Sequence, residues 1–192
     1  MARLSREQNQ ALTRSRLLTV AKQQFARDGY AASSLDRIAD EAGFSKGAVY
    51  SNFAGKEELF LGVLEEHGRV SLDEILAELQ GARDIEKAID RIAAWATRSS
   101  RQGNWPMLIL EYSRVARPAD TFRKSQEKVL RAQWKALGEV LLQFDPKLDV
   151  KAEVLGALVF ELTYAPAMSF VSKPTSGDLL RTALRGLFGT LR

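Results

Sequence analysis

Apolar positions recur along the chain at three- and four-residue intervals, the period of helices buried on one side. Leu18, Ala21 and Phe25 mark the first stripe, in a helix over about Gln10 to Asp28 that Gly29 terminates. Leu35, Ile38, Ala39 and Ala42 mark a second. Ser33 is placed to cap it, with Asp36 three residues on completing a capping box. Gly43 supplies the left-handed residue that a tight helix-to-helix turn needs. Ser45 opens a helix over about 45–51, too short to stand alone and held from behind by Val49 and Phe53. Lys56 to Leu79 reads as one long helix with Leu59, Phe60, Val63 and Leu64 on its apolar face, and a bend is expected near Gly68. Glu57 and Glu58 suit the positive end of its dipole. Gly81-Ala82-Arg83 is a loop. Asp84 caps a helix whose buried face carries Ile85, Ala88, Ile89, Ile92, Ala93 and Ala96. Pro106 stands in the first turn of the next, which runs to Arg117. Asp120 caps a helix to about Phe144. Asp149 caps one towards Ser172, kinked at Pro166. Thr175 and Asp178 form the capping box of the last, which ends at Leu191. No strand pattern and no repeat appears. The expectation is an all-α fold of about nine helices. A three-helix helix-turn-helix unit over 1–56 is joined by a linking helix to a helical domain over 57–192.

Composition narrows the function. The chain has no cysteine and one histidine, His67, so thiolate metal sites and disulfides are excluded. No glycine-rich phosphate loop and no Glu-x-x-His pair is present, so neither catalysis nor a cofactor is expected. The longest apolar run, Val154 to Phe160, is seven residues, too short for a membrane span. No signal peptide follows the basic start, and a cytoplasmic protein is expected. Charge is uneven. Residues 1–56 hold nine Lys/Arg and five Asp/Glu, whereas 57–192 hold 19 of each, so the whole formal charge of +4 lies in the helix-turn-helix segment. That is the electrostatic footprint of a nucleic-acid binder. Residues 1–10 lack periodicity and read as an arm in which Arg3 and Arg6 could reach a minor groove.

Residues 34–59, S-L-x-x-I-A-x-x-A-G-F-S-K-G-A-V-Y-x-N-F-x-x-K-E-E-L, resemble the DNA-binding motif of the tetracycline-repressor (TetR) family of bacterial transcription regulators. The matches include Ile38-Ala39, Ala42-Gly43, Gly47, Tyr50, Phe53 and Lys56 in one unbroken register. They cover the first third of the chain. The resemblance implies that Lys46, Gly47 and Ala48 meet base edges, with Arg37 reaching backbone or base. Ser34, Ser45, Tyr50, Asn52 and Lys56 match its phosphate-contacting positions. The chemistry agrees: a lysine donates to guanine O6 or N7, and an alanine methyl packs on a thymine methyl. Asp36 departs from the pattern. Its charge repels phosphate, and it is assigned to capping.

The resemblance also implies a homodimer on a near-palindromic operator, two half-sites about 34–36 Å or a multiple apart. Repression relieved by a small-molecule effector is its usual mode. The last two helices are the implied interface, through Leu155, Leu158, Val159, Leu162, Leu180, Leu184 and Leu187, with Gly156 and Ala157 permitting close approach. Effector-pocket candidates are Trp95, Trp105, Met107, Tyr112, Phe122, Trp134, Glu161, Tyr164 and Met168, aromatic and thioether groups suited to an apolar pocket. Glu111, Gln126 and Thr163 are further polar candidates. The competing reading is a helical dimeric small-molecule-binding protein that no longer binds DNA. Lys46, Tyr50, Lys56 and the basic bias of 1–56 argue against it.

Overall fold

The computed structural model describes residues 5–102, 104–115, 120–168 and 172–189, the side chains of 120–123 and 125 excepted. Among these residues there are nine α-helices and no strand. The helices are α1 (Arg6–Ala32), α2 (Leu35–Ala42), α3 (Lys46–Tyr50), α4 (Lys56–Leu79), α5 (Ile85–Ser99), α6 (Trp105–Val115), α7 (Asp120–Leu142), α8 (Ala152–Tyr164) and α9 (Ser176–Leu187). A 3-10 turn, Ala165–Met168, follows α8. The chain forms two compact units, Met1–Glu66 with Leu108–Ala119, and His67–Met107 with Asp120–Arg192. These divide the chain elsewhere than at residue 56: the start of α4 and the segment 108–119 belong with the first unit.

In the first unit α1 starts earlier than its periodicity predicts. The Ser5 and Gln8 side chains cap it reciprocally, so Arg6 lies in the helix and not in an arm. Arg3 lies outside the described residues. Gly29 breaks the helix at φ 82°, ψ 171°, a left-handed φ that suits glycine, and a further turn reaches Ala32. The buried side of α1 is Leu17, Val20, Ala21, Gln24 and Phe25, and Leu18 is only half-buried. Ile38, Ala39 and Ala42 of α2, Val49 and Phe53 behind α3, and Leu59, Phe60 and Val63 of α4 complete this core. Ser34, not Ser33, caps α2: its hydroxyl accepts the Arg37 N–H, whereas the Ser33 hydroxyl donates to the Gly29 carbonyl. The expected Ser33–Asp36 capping box is therefore absent. Gly43 does take the left-handed conformation, φ 76°.

In the second unit a core of Ile75, Leu79, Ile89, Ile92, Trp95, Leu137, Leu141, Leu155, Val159, Leu180 and Leu184 joins α4, α5, α7, α8 and α9. Asp84 and the Thr175–Asp178 box cap α5 and α9 as expected. Asp149 does not cap α8; Lys151 precedes that helix without a side-chain cap bond. The α8 pattern changes to 3-10 at Ala165-Pro166, where proline has no N–H to give an α-helix. α4 is one continuous helix through Gly68.

Helices α7 and α8 approach backbone to backbone. A Cβ on Gly156 would lie 1.8 Å from the Trp134 carbonyl oxygen, and one on Gly138 the same distance from that of Ala152. The glycine expected to admit a partner helix thus admits α7 of its own chain. Gly156→Ala should lower stability by about 3 kcal/mol, because backbone and not a flexible side chain must yield. Gly186→Ala, at an exposed position of α9, should leave thermal and urea midpoints unchanged or slightly raised. Equal midpoints for the two variants would contradict the packing described.

Candidate nucleic-acid interface

Helix α3 is five residues long and is defined at both ends. The Ser45 hydroxyl accepts the Ala48 N–H at 3.2 Å, and the Ser51 N–H returns to the Gly47 carbonyl. Val49 and Phe53 are fully buried behind it. Arg14 of α1 secures the turn beyond: its guanidinium donates to the Asn52 carbonyl at 2.8 Å and lies 4.2 Å from the Phe53 ring centroid. Gln24, buried in α1, accepts the Ser34 N–H at 3.2 Å and fixes the start of α2.

The outward face of α3 carries Ser45, Lys46, Gly47 and Tyr50, with Ala48 half-buried. Tyr50 is 57% exposed, so it does not serve the core. A Cβ on Gly47 would meet only the Ser45 Oγ, at an ordinary 3.7 Å. Nothing in the protein demands glycine there, and its effect is to leave the face flat.

The cations at this face are paired. Lys46 Nζ lies 2.5 Å from Asp36 Oδ2, and the bond raises the lysine above its usual range. Arg37 meets Asp28 at 2.9 Å, and Arg27 meets both Asp28 and Glu41 at 2.9 Å. Asp28 is held below the usual carboxylate range, first by its hydrogen bond to Arg27.

Two predicted phosphate contacts face inward. Asn52 donates its amide to the Ala48 carbonyl at 2.8 Å. Lys56 donates to the Ala31 carbonyl at 3.0 Å and sits 4.6 Å from the Tyr30 ring centroid. Burial pushes its ammonium below the usual range. Both are committed to the end of a helix, so they reach a phosphate only by leaving these partners. Ser34 and Ser45 are caps, and capping leaves them at the surface.

A residue of the first unit that the sequence placed elsewhere is Glu111 of α6. Its carboxylate accepts the Tyr30 N–H at 2.9 Å and the Ala31 N–H at 2.8 Å. The next residue, Tyr112, donates to Glu57 at 2.9 Å. Its ring joins Tyr30, Phe25 and Phe60 at centroid separations of 4.8 to 6.0 Å. Glu111 and Tyr112 are therefore structural parts of the first unit, not pocket groups. The contact spans about eighty positions of sequence, and no local pattern announces it.

The other pocket candidates lie in the second unit but do not form one site. Trp105 is buried and stacks on His67 at 4.2 Å, and His67 Nε2 lies 3.1 Å from the Tyr164 hydroxyl. Trp95 is core, its Nε1–H donating to Glu74 at 3.0 Å. Met107, Glu161 and Met168 are exposed, and Trp134 is half-buried. The Phe122 side chain lies outside the described residues. A separate open groove of about 530 Å³ runs along Glu74, Glu78, Trp95, Arg98 and Gln102. Of the predicted interface, Leu155, Val159, Leu180 and Leu184 are fully buried in the unit's own core, which corrects their assignment to a partner surface. Leu158 and Leu162 are half-buried against that core, and Leu187 is 38% exposed.

Residues 17–63 match the family model described as bacterial regulatory proteins, tetR family. Over this stretch, about a quarter of its length, the chain carries the DNA-binding region of the TetR family. The HTH-type transcriptional activator FasR of Mycolicibacterium smegmatis is 46% identical over 54 residues, 28% of this chain and 25% of that protein. The HTH-type transcriptional regulator SrpR of Pseudomonas putida is 26% identical over 188 residues, 94% of this chain and 85% of that one. In the first curated relatives it matches, the chain spans a quarter to two fifths of their length. The solved structure of SCO7518 from Streptomyces coelicolor A3(2) has a TM-score of 0.68 at 22% identity, over 91% of this chain and 97% of that one. The Bacillus subtilis regulator FadR in complex with stearoyl-CoA scores 0.65 at 14% identity, over 93% and 99%. At these identities the likenesses show the fold alone, shared over about nine tenths of the chain. Among the described residues no helix is long and apolar enough to cross a membrane.

Removing the Glu111 carboxylate should destabilise the first unit. Glu111→Ala leaves two N–H groups unpaired beside a buried tyrosine and should cost about 1–3 kcal/mol. Glu161→Ala, exposed on α8, should stay within about 0.5 kcal/mol. Urea unfolding followed by tryptophan-independent far-UV dichroism reads both, and identical midpoints would remove Glu111 from the structural account.

Proposed function

We propose that this chain is a cytoplasmic, ligand-responsive transcriptional repressor of the TetR family that binds a near-palindromic operator as a homodimer. The observation that carries the reading is the outward face of α3. Lys46, Gly47 and Tyr50 stand exposed on a helix that the buried Val49 and the Ser45 cap hold out. In this reading Lys46 donates to a guanine edge, Ala48 and Gly47 lie along the groove floor, and Arg37 reaches base or backbone. Ser34, Ser45 and Tyr50 grip phosphates. Asn52 and Lys56 act chiefly by holding the turn and the end of α1, and join the phosphate contacts only after exchanging partners.

Dimerisation uses what the second unit leaves uncovered: Leu187, the outer sides of Leu158 and Leu162, and Val154, which is 58% exposed. The effector binds the same unit. The aromatic faces of Trp105 and His67 with the Tyr164 hydroxyl supply apolar area and a hydrogen-bonding group. A ligand that favours the non-binding state by roughly 3 kcal/mol weakens operator affinity about 150-fold.

Selection of genomic fragments on the purified protein tests the reading. A near-palindrome should be enriched, and affinity for it should fall roughly a thousandfold between 50 and 200 mM salt if six or more phosphates are contacted per dimer. Lys46→Ala should relax sequence preference at one position of each half-site. Tyr50→Phe should weaken all sequences alike. Failure to enrich any sequence with ligand-stripped protein, together with a flat salt response, would favour the binding protein that has lost DNA.

A further inference from the structure

Asp36 has no part in the cap to which its position assigns it. The Ser34 hydroxyl takes the Arg37 N–H, and the Asp36 carboxylate instead reaches across the turn to Lys46, the first residue of α3, at 2.5 Å. Asp28 and Asp36, two of the three acidic partners at this face, differ. Asp28 holds Arg27 and Arg37 with a side chain only 19% exposed, a bond built into the unit. Asp36 and Lys46 are 53% and 63% exposed, so their bond is a surface pair of small intrinsic worth. A pair that contributes little to folding and stands at the head of the exposed helix presents its remaining bonding capacity outward.

That capacity is mixed. A lysine ammonium has three donors, of which Asp36 uses one. An ionised carboxylate accepts at two oxygens, and only Oδ2 is engaged with Lys46. The pair therefore offers donors and an acceptor side by side with no net charge. A phosphate, acceptor only and negative, is repelled by half of it. A G·C pair in the major groove offers guanine N7 and O6 as acceptors and cytosine N4–H₂ as a donor, the complement of the pair.

We infer that Asp36 is a specificity-determining residue: with Lys46 it reads a G·C pair, Lys46 donating to guanine and Asp36 accepting from the cytosine amino group, while it lowers affinity for DNA in general. The inference rests on the DNA-binding reading of α3 and adds to it an acceptor where that reading has only donors. It also gives the ion pair a role that a helix-stabilising charge would not have.

The test uses the full-length protein and the operator that selection recovers. Wild type, Asp36→Ala, Asp36→Asn, Lys46→Ala and the double variant Asp36→Ala/Lys46→Ala are titrated with that operator. They are also titrated with duplexes changed one base pair at a time, and with a scrambled duplex, each at two salt concentrations. Asp36→Ala should bind the scrambled duplex about five- to tenfold tighter, with a salt slope steeper by about 1 per half-site. It should lose discrimination of about tenfold or more at one G·C position. At that position the double variant should discriminate no worse than Lys46→Ala alone, because the two residues act as one reader. Asp36→Asn, which keeps an acceptor oxygen but adds a donor, should fall between. Thermal melts of all variants check that the fold is kept.

If Asp36→Ala tightens operator and scrambled duplex by the same factor, Asp36 is a repelling charge only and the inference is overturned. Unchanged binding to both overturns it equally. If wild type enriches no sequence at all, it is the DNA-binding reading that fails, and the inference falls with it.

Discussion

A helix of five residues does not form on its own, since nucleation costs more than one turn of hydrogen bonds returns. Helix α3 therefore exists only because its surroundings dictate it, and the construction of the first unit follows from that constraint. The Ser45 cap sets the first turn. Val49 and Phe53 anchor the inner side in the core. Arg14 grips the carbonyl beyond the last turn. Gln24, buried without charge, fixes where α2 begins and hence where the turn into α3 lies. The last two of these contacts come from α1, which is why the long first helix must be held in turn at its far end, where Gly29 breaks it. There the Glu111 carboxylate occupies the two N–H groups that the break exposes, Lys56 occupies the Ala31 carbonyl, and four aromatic rings fill the space beneath. The exposed face of α3 can be spare of side chains because so much else is spent on its inner side.

What could be read in the sequence divides by distance along the chain. Caps and turns are local, and Ser45, Asp84, Thr175 with Asp178, and the left-handed Gly43 stand where their residue types and spacing place them. The Ser33 cap erred by a single residue, within the reach of two adjacent serines competing for one helix start. The family motif located α2 and α3 and the exposed positions on α3. Long-range partners were not legible. Glu111 reads as a polar pocket candidate and is a backbone clasp eighty residues away. Tyr112 reads as a pocket aromatic and is core, whereas Trp95 is core and also lines the open groove. Leucines at Leu155, Leu180 and Leu184 give the same stripe whether they face a partner or their own chain. Their complete burial in the core of their own unit decides between the two.

Net charge was the least complete of the sequence signals. The excess of four positive charges in the first 56 residues is real, yet Lys46, Arg27 and Arg37 each have a carboxylate within 2.9 Å. Around these three residues the surface is a set of ion pairs and not a bare basic patch. Binding a phosphate then means exchanging an intramolecular carboxylate for an intermolecular anion, which yields less than meeting an unpaired cation. The exchange is selective where the displaced or retained acid has something else to bind. Asp28, half-buried between two arginines, bonds both of them and sets their geometry. Asp36, exposed at the mouth of α3, meets whatever α3 meets. Asp28 thus positions cations, and in the proposed reading Asp36 takes part in recognition, a difference that follows from their burial. A protein that must find a few sites among very many loses little by weakening its grip on all DNA and gains by the sites it then distinguishes.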